Sequence, residues 1–301
     1  MNLYKSCTLC PRICKINRYT TKGYCGLNNQ IRIALAKPFF YEEPPISGTN
    51  GSGAIFFSGC NLKCCFCQNM EISSFNKGKV VSINRLAEIM LELQEKNVHN
   101  INLVTPTMYV PSIIKAIKKA KKNGLTIPII YNSSGYENVD TIKLLRGYID
   151  VYLPDFKYYD NTYANKYSKA KNYLQNAMDS IDEMVKQVGP CQFDKQGNIL
   201  KGVIIRHLML PSLLEDSKQI INYLYNKYHD DIYFSIMNQY TPNKYVHFKE
   251  LQKTLSTNDY DTIIDYCVNL GISKAFCQVG GTVGESFIPN FNYEGVKKNQ
   301  V

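Results

Sequence analysis

The chain has 301 residues, of which 45% are hydrophobic and 20% charged, and its formal net charge at pH 7 is +10. This apolar content is enough for a sizeable core, which excludes a disordered or collagen-like protein. No run reaches the roughly 18 apolar residues of a membrane helix, and the first residues lack the apolar stretch of a secretory signal. We therefore expect a soluble, cytoplasmic protein with no membrane partner.

The positive charge is concentrated at the start of the chain. Residues 1–41 contain seven Lys or Arg and no acid, whereas the remainder contains 28 basic and 25 acidic residues. The same segment contains four cysteines, at Cys7, Cys10, Cys14 and Cys25. Four thiolates around a metal leave a net negative site, which neighbouring cations offset. We interpret the basic segment first as compensation for a metal site and only second as a phosphate-binding patch.

The spacing C-x2-C-x3-C-x10-C of these four cysteines favours a closed metal site. A thioredoxin-like dithiol normally opens a helix after a strand, and nothing strand-like precedes Cys7. Zinc, an auxiliary iron–sulfur cluster and reduced structural thiols all stay open from the sequence. We define residues 1–45 as a cysteine-rich metal-binding segment and residues 46–301 as the core domain.

A second cysteine group lies in SGCNLKCCFCQN, directly after the apolar stretch GAIFF. Cys60, Cys64 and Cys67 have the spacing C-x3-C-x2-C, which suits three corners of a [4Fe–4S] cube and leaves the fourth iron without a protein ligand. We predict these three as ligands and Cys65 as a bystander. The alternative is a zinc knuckle of all four, which the adjacency of Cys64 and Cys65 makes awkward to close as a tetrahedron.

Beyond this loop, apolar strands alternate with helices, which predicts parallel strands joined by crossover helices. The predicted strands are GAIFFSG, NINLV, IPIIY, YIDVYL, GVIIRHLML and DIYFSIMNQY, with KAFCQ as a possible seventh. Helices are predicted after Ser82, from Pro111, over TIKLLRGY, and near residues 161–188, 216–228 and 259–270. An α/β barrel and a doubly wound open sheet share this alternation.

Polar side chains follow the carboxyl ends of several predicted strands, the edge at which α/β barrels build their sites. These residues are Thr105, Asn132, Ser134, Asp155, Lys157 and Arg206. Arg206 lies inside an apolar strand, and a buried guanidinium needs a partner, for which a ligand carboxylate or Asp155 would serve. His207 alternates to the other face and is predicted to pack in the core.

Several motifs of the chain resemble those of one enzyme family. They are CTLCPRICKINR, CNLKCCFCQNMEIS, VTPT, YNSSGYE, DVYLPDFKY, RHLMLP and FIPNFNYEGV, and they span the chain from about Cys7 to Val296. These motifs resemble the radical S-adenosylmethionine (SAM) superfamily and, more narrowly, its PflX-type branch, which is similar to pyruvate formate-lyase activating enzymes. The resemblance implies an α/β fold, an open partial (β/α)6 TIM-like barrel with a cysteine-rich N-terminal extension.

The resemblance also implies an oxidoreductase whose [4Fe–4S] cluster reductively cleaves SAM to a 5′-deoxyadenosyl radical, which abstracts hydrogen from a substrate. The substrate implied is a glycine in a partner protein, as in glycyl-radical-enzyme activation, with another peptide or a small molecule as alternatives. An external electron donor such as a flavodoxin or ferredoxin is expected. Thr105-Pro106-Thr107 stands where the activating enzymes have Gly-Gly-Glu. The residues implied to contact SAM are Thr105, Asn132, Ser134, Asp155, Lys157 and Arg206.

A protein of another class is the alternative: a cysteine-rich zinc-binding protein that binds nucleic acid through its basic start. The two differ in colour, because an iron–sulfur protein absorbs near ~400 nm and a zinc protein does not. They also differ in salt response, because nucleic-acid affinity falls steeply as salt increases. We favour the enzyme and expect no nucleic-acid partner.

Overall fold

The computed structural model describes residues 3–278 and 288–297, so the outer ends of the predicted segments 1–45 and 46–301, and Phe287 of the last motif, lie outside the described residues. The strands are β1 Ile31–Phe39, β2 Ser52–Phe57, β3 Lys79–Val81, β4 Ile101–Val104, β5 Ile129–Ser133, β6 Val151–Pro154, β7 Gln192–Phe193, β8 Ile199–Leu208, β9 Tyr233–Met237 and β10 Ala275–Cys277. The α-helices are α1 Pro44–Ser47, α2 Met70–Ser73, α3 Ile83–Glu95, α4 Val110–Lys122, α5 Val139–Lys143, α6 Asn161–Ser168, α7 Tyr173–Val188, α8 Leu214–Tyr228 and α9 Thr257–Asn269.

The strands form one sheet in the order β10-β9-β8-β6-β5-β4-β2-β1-β3, and β7 pairs with β8 beside this path. Along this path, the neighbouring strands between β2 and β10 are parallel. The short strand β7 is antiparallel to β8. In residues 3–278 and 288–297, β3 and β10 are the two edges of the path and do not pair with each other. The predicted open, mostly parallel α/β sheet is therefore confirmed, and KAFCQ contributes its seventh parallel strand.

Packing against helices explains why the parallel strands are apolar. All six residues of β2 are buried, as expected for a strand covered on both faces. Ser82 begins α3 as predicted, and its Oγ accepts a hydrogen bond of 3.0 Å from the Arg85 amide. None of the described helices combines the length and apolar character that crossing a membrane requires.

The strand β1 was not predicted and belongs to the sheet. It runs antiparallel to β2, from Ile33 opposite Phe57 to Phe39 opposite Ser52. Its sequence IRIALAKPF is apolar, as in a strand. It was not predicted because it lies inside the segment 1–45, outside the alternation of strands and helices on which the prediction was based. The boundary predicted at residue 45 thus falls after a strand of the core sheet, and the four cysteines of that segment all precede this strand.

The single long helix predicted near residues 161–188 is two helices, α6 and α7. Lys169 and Asn172 between them have positive φ angles of 53° and 51°, which ends one helix before the next begins. The break leaves the last carbonyls of α6 available as acceptors. The Tyr167 carbonyl accepts from the Cys65 amide at 2.8 Å, and the Ser168 carbonyl accepts from the Lys63 amide at 3.1 Å. The helix end therefore fixes the second cysteine loop.

Candidate active site

A cavity of about 540 Å³ is lined by the second cysteine loop and by residues of the parallel strands. The cysteines of the predicted C-x3-C-x2-C spacing line it, while Cys65 is not part of its wall. Its wall also contains every strand-end residue predicted to contact a cofactor: Thr105, Asn132, Ser134, Asp155, Lys157 and Arg206. One space thus collects the cysteines and the polar ends of four parallel strands.

Each of the three cysteine sulfurs has a hydrogen-bonding neighbour. The Leu62 amide donates to Cys60 Sγ at 3.4 Å, and the Ser168 hydroxyl donates to Cys64 Sγ at 2.9 Å. The Ser73 hydroxyl lies 3.2 Å from Cys67 Sγ. Hydrogen bonds to cluster-bound sulfurs set the reduction potential of an iron–sulfur cluster. These neighbours suit thiolate ligands.

Burial makes the thiolate form of these cysteines costly without a cation. It raises the pKa of Cys60 to about 11 and that of Cys64 to about 12. The Cys67 sulfur adds to both shifts, whereas the Lys157 ammonium acts in the opposite direction. Thiols of this kind become ligands when a metal replaces their protons.

The donor set fits an iron–sulfur cube better than a single ion. A zinc knuckle in this loop would need all four of its cysteines, whereas a cube with one open iron needs three. Cys65 is not part of the cavity wall. The cavity therefore offers three thiols spread around one space, which is the donor set of a [4Fe–4S] cluster with one open iron.

Lys157 and Asp155 form an ion pair in the cavity wall next to the cysteines. Lys157 Nζ lies 2.5 Å from Asp155 Oδ2. Burial opposes the lysine charge, but Asp155 and the sulfur of Cys64 together raise its pKa above the usual value. The ammonium thus stays charged beside the thiols, where it is available to an anionic ligand group.

Thr105 has a strained backbone at the point where β4 meets the cavity. Its φ angle is +59°, which is rare for a β-branched residue. The Thr105 amide donates to the Asn132 carbonyl at 2.8 Å, which ties the two strand ends together. Such strain persists only where surrounding contacts hold it, and it clusters at ligand sites.

Two residues of the cavity wall, Glu42 and Glu43, were not predicted. Arg206 donates from Nε and Nη2 to the two oxygens of Glu43 at 2.7 Å each, and also from Nη2 to Glu42. The partner of Arg206 is therefore this acidic pair, whereas Asp155 is paired with Lys157. The signal in the sequence that could have identified them is two adjacent acids at the end of an apolar stretch, directly before Pro44-Pro45.

The first cysteine group lies on a tightly folded loop. The Cys7 amide donates to the Ile16 carbonyl, and the Lys15 amide donates to the Cys7 carbonyl, both at 2.9 Å. A methyl group added to Gly23 would lie 3.5 Å from the sulfur of Cys25 and 3.9 Å from that of Cys14, so these sulfurs flank the same point. Burial raises the pKa of Cys10 to about 12, with a smaller contribution from Cys25. The structure thus brings the four predicted cysteines near one another.

A fully buried arginine accompanies this group. Arg18 is 0% exposed and donates to the Met108 carbonyl at 2.6 Å and to the Asn28 carbonyl. Its Nε has no hydrogen-bond acceptor in the described residues. Its charge lowers the pKa of Cys25, although burial outweighs this effect and leaves the pKa raised. A buried cation beside cysteines suits thiolates.

Arg12 connects the two cysteine groups. It lies between Cys10 and Cys14 in the chain, and its Nε donates to the Asn61 carbonyl at 2.8 Å. Its guanidinium carbon lies 3.9 Å from the ring centre of Tyr24. The first cysteine loop therefore supports the second directly.

Comparison with known proteins places the chain in a family. Residues 54–194 match the model of the radical SAM superfamily. The uncharacterized protein MJ0674 of Methanocaldococcus jannaschii is 30% identical over 275 residues, covering 84% of this chain and 74% of the relative. The chain belongs to the radical SAM superfamily.

Solved structures share the fold. A radical SAM methyltransferase from Sphaerobacter thermophilus has a TM-score of 0.53 at 11% identity, over 76% of this chain and 67% of that one. The hydrogenase maturase HydG has a TM-score of 0.52 at 13% identity, over 72% of this chain and 49% of HydG. Streptococcus suis SuiB has been solved with SAM and with its precursor peptide. It has a TM-score of 0.50 at 13% identity, over 74% of this chain and 47–49% of SuiB. The chain thus spans about half the length of HydG and SuiB.

Proposed function

We propose that Cys60, Cys64 and Cys67 bind a [4Fe–4S] cluster and that the strand-end residues of the same cavity bind SAM beside it. The observation that carries this proposal is the shared cavity, in which three hydrogen-bonded sulfurs face the ends of four parallel strands. When bound, such a cluster passes one electron from an external donor such as a flavodoxin or ferredoxin to SAM, which splits into methionine and a 5′-deoxyadenosyl radical.

The residues of the chain position the cofactor and keep water out. The Lys157 ammonium suits the methionine carboxylate of SAM, and the Asp155 carboxylate suits its ribose hydroxyls. Apolar side chains surround these groups in the cavity wall, among them Phe57, Leu62, Phe66 and Met237. A primary carbon radical reacts with almost any nearby C–H bond, so SAM and substrate must be held close together with water excluded, which these apolar side chains favour.

For the substrate we propose a glycine Cα in a partner protein, from which hydrogen is abstracted as in glycyl-radical-enzyme activation. A polypeptide substrate is compatible with the fold, because SuiB has been solved with a peptide bound. Reduced, SAM-loaded protein incubated with the proteins that co-purify with it should generate the EPR signal of a glycyl radical. The Cys60→Ala variant is the negative control. SAM cleavage without any protein radical would refute partner activation and leave the radical chemistry standing.

A second metal centre is proposed at Cys7, Cys10, Cys14 and Cys25. Their compact loop, the burial of Cys7, Cys10 and Cys25, and the Arg18 cation support it. Four cysteines with this spacing suit either zinc or an auxiliary iron–sulfur cluster. Through Arg12 this centre would stabilise the loop of the catalytic cluster.

The double variant Cys7→Ala/Cys10→Ala tests this second centre. We expect it to lose its bound metal, either zinc or about four irons per chain, and to unfold at lower denaturant concentration, because structural metal binding contributes to folding. Its remaining cluster should still respond to SAM. Metal analysis and urea unfolding measure both effects, with Cys191→Ala as the matched cysteine control. Unchanged metal content would show that these cysteines are not a metal site, and the element that is lost identifies the metal.

A further inference from the structure

Two lysines lie against the second cysteine loop but outside the cavity. Lys63 is the chain neighbour of Cys64, and its amide donates to the Ser168 carbonyl at 3.1 Å. Lys169 directly follows Ser168, whose hydroxyl donates to Cys64 Sγ at 2.9 Å. Neither lysine is part of the cavity wall. Both are therefore placed beside Cys64 without occupying the space proposed for SAM.

Two aromatic rings connect these lysines to the first cysteine loop. The ring centre of Tyr24 lies 3.9 Å from the guanidinium carbon of Arg12 and 5.9 Å from Lys63 Nζ. The same guanidinium carbon lies 5.2 Å from the ring centre of Tyr136, whose hydroxyl donates to the Lys171 carbonyl at 2.9 Å. The side chains that meet here form one surface, which we call the basic patch: Arg12, Tyr24, Lys63, Lys169 and Lys171.

Neighbouring acids do not balance the charge of the basic patch. Across residues 3–278 and 288–297, none of its four cations forms an ion pair with a carboxylate. Glu250, whose charge reaches the loop at Cys65, is paired with Lys166 at 2.5 Å. Lys169 and Lys171 are exposed, so their charges face solution. The patch is thus a positive surface available to an anionic partner.

Electrostatic effects on the cysteines show that the patch is close to their sulfurs. Burial raises the pKa of Cys60, and the charge of Lys63 opposes this shift although Lys63 is not in the cavity wall. Burial also raises the pKa of Cys65, and the charge of Lys169 opposes it. The cations of the patch therefore act on the cysteine loop from outside the cavity.

The proposed chemistry requires an electron donor to approach this loop. SAM and the substrate would occupy the cavity, so the donor must reach the cluster from outside it. Electron-carrier proteins associate through small interfaces, below about 1,200 Å², and complementary charge increases their association rate. Tyr24 is 40% exposed within the patch, and tyrosine and arginine are enriched at protein interfaces. Position, charge and composition all suit such an encounter.

We propose that the basic patch is the docking surface for an acidic one-electron carrier protein. Docking there brings the redox group of the carrier against the outer side of the cysteine loop. One electron is transferred: the carrier is oxidised by one electron and the iron–sulfur centre is reduced by one, with no exchange of atoms. The inference rests on the proposed function, since the patch has this role only if the neighbouring cysteines hold a cluster.

Charge reversal tests the docking surface in the full, iron-reconstituted chain. The double variant Lys169→Asp/Lys171→Glu reverses two exposed charges, and aspartate tolerates the positive φ angle of 53° at position 169. The probes are a reduced flavodoxin and a reduced ferredoxin with acidic surfaces, and dithionite as a small reductant that needs no docking surface. The carrier concentration that gives half-maximal formation of 5′-deoxyadenosine should rise at least about tenfold. The yield with dithionite should stay within about twofold of the wild-type yield.

Lys195→Asp/Lys201→Glu is the matched control and should change neither quantity. Both lysines are exposed, Lys195 precedes β8 and Lys201 lies near its amino end, and neither is in the cavity wall. Surface plasmon resonance on immobilised, oxidised carriers gives a readout that does not depend on turnover. Affinity should fall in the patch variant but not in the control, and wild-type affinity should fall as NaCl is raised.

Carbodiimide cross-linking of the wild-type protein locates the contact directly, because it joins lysines to carboxylates. The cross-linked peptides should contain Lys63, Lys169 or Lys171. Cross-links confined to other lysines, or carrier affinity that does not respond to NaCl, would overturn the proposal whether or not the variants fold.

Three further outcomes separate the possible failures. An equal loss of carrier affinity in the patch variant and in the control would assign the effect to net charge and overturn the proposal. Binding of duplex DNA but of neither carrier would assign the patch to nucleic acid and also overturn it. Wild-type protein that forms no 5′-deoxyadenosine even with dithionite would instead refute the proposed function on which the inference rests.

Discussion

Replacing Cys60, Cys64 or Cys67 singly with alanine should abolish reductive cleavage of SAM. Each substitution removes one of three protein ligands, and a cube bound by two thiolates is poorly held. Iron content, the absorbance near ~400 nm and the yield of 5′-deoxyadenosine should all fall to background in anaerobically prepared protein.

Cys65→Ala is the matched control, because Cys65 lies in the same loop but outside the cavity wall. We expect it to keep its iron and most of its activity. A Cys65→Ala protein without a cluster, together with a Cys60→Ala protein that retains one, would refute the ligand assignment.

The second large effect is expected at the ion pair of Asp155 and Lys157. Asp155→Ala or Lys157→Ala should leave the cluster intact but weaken SAM binding by about ten- to a hundredfold, or about 1.5–3 kcal/mol, because each removes a charge-assisted hydrogen bond to the cofactor. Titrating SAM into the reduced protein and following the EPR signal of the cluster measures the affinity.

Two controls distinguish cofactor binding from a structural role of this pair. The double variant Asp155→Asn/Lys157→Met leaves no unpaired buried charge, so it should fold and still bind SAM weakly. Lys77→Ala breaks an exposed ion pair with Glu71 of 2.7 Å and should leave SAM affinity unchanged. Wild-type affinity in both Asp155 and Lys157 variants would show that SAM binds elsewhere.

The parts of the site that follow chain order were predictable from sequence. Cysteine spacing singled out Cys60, Cys64 and Cys67, and these three line one cavity, because residues of a single loop keep their pattern in the chain. The strand-end residues were predictable because parallel strands bring their carboxyl ends to one edge. Asp155 and Lys157 are examples: they directly follow an apolar strand, which predicted that they would lie at the site, and both line the cavity.

The parts that depend on pairing across the sheet were not predictable. Glu42 and Glu43 reach the cavity only because β1 turns back antiparallel along β2, a pairing that no local pattern reveals. For the same reason the partner of Arg206 was expected to be a ligand carboxylate or Asp155, whereas Arg206 donates to this pair, more than 160 positions away in the chain. The break between α6 and α7 at Lys169 was not predictable either, because no Gly or Pro marks it in the sequence. At this break the second cysteine loop donates hydrogen bonds to the end of α6.

The most direct test of the central claim is the product analysis of the reduced protein with SAM. Anaerobically reconstituted wild-type protein, supplied with dithionite and SAM, should form 5′-deoxyadenosine and methionine in equal amounts, and the Cys64→Ala variant should form neither. Iron-loaded, reduced wild-type protein that binds SAM but yields neither product would contradict the account.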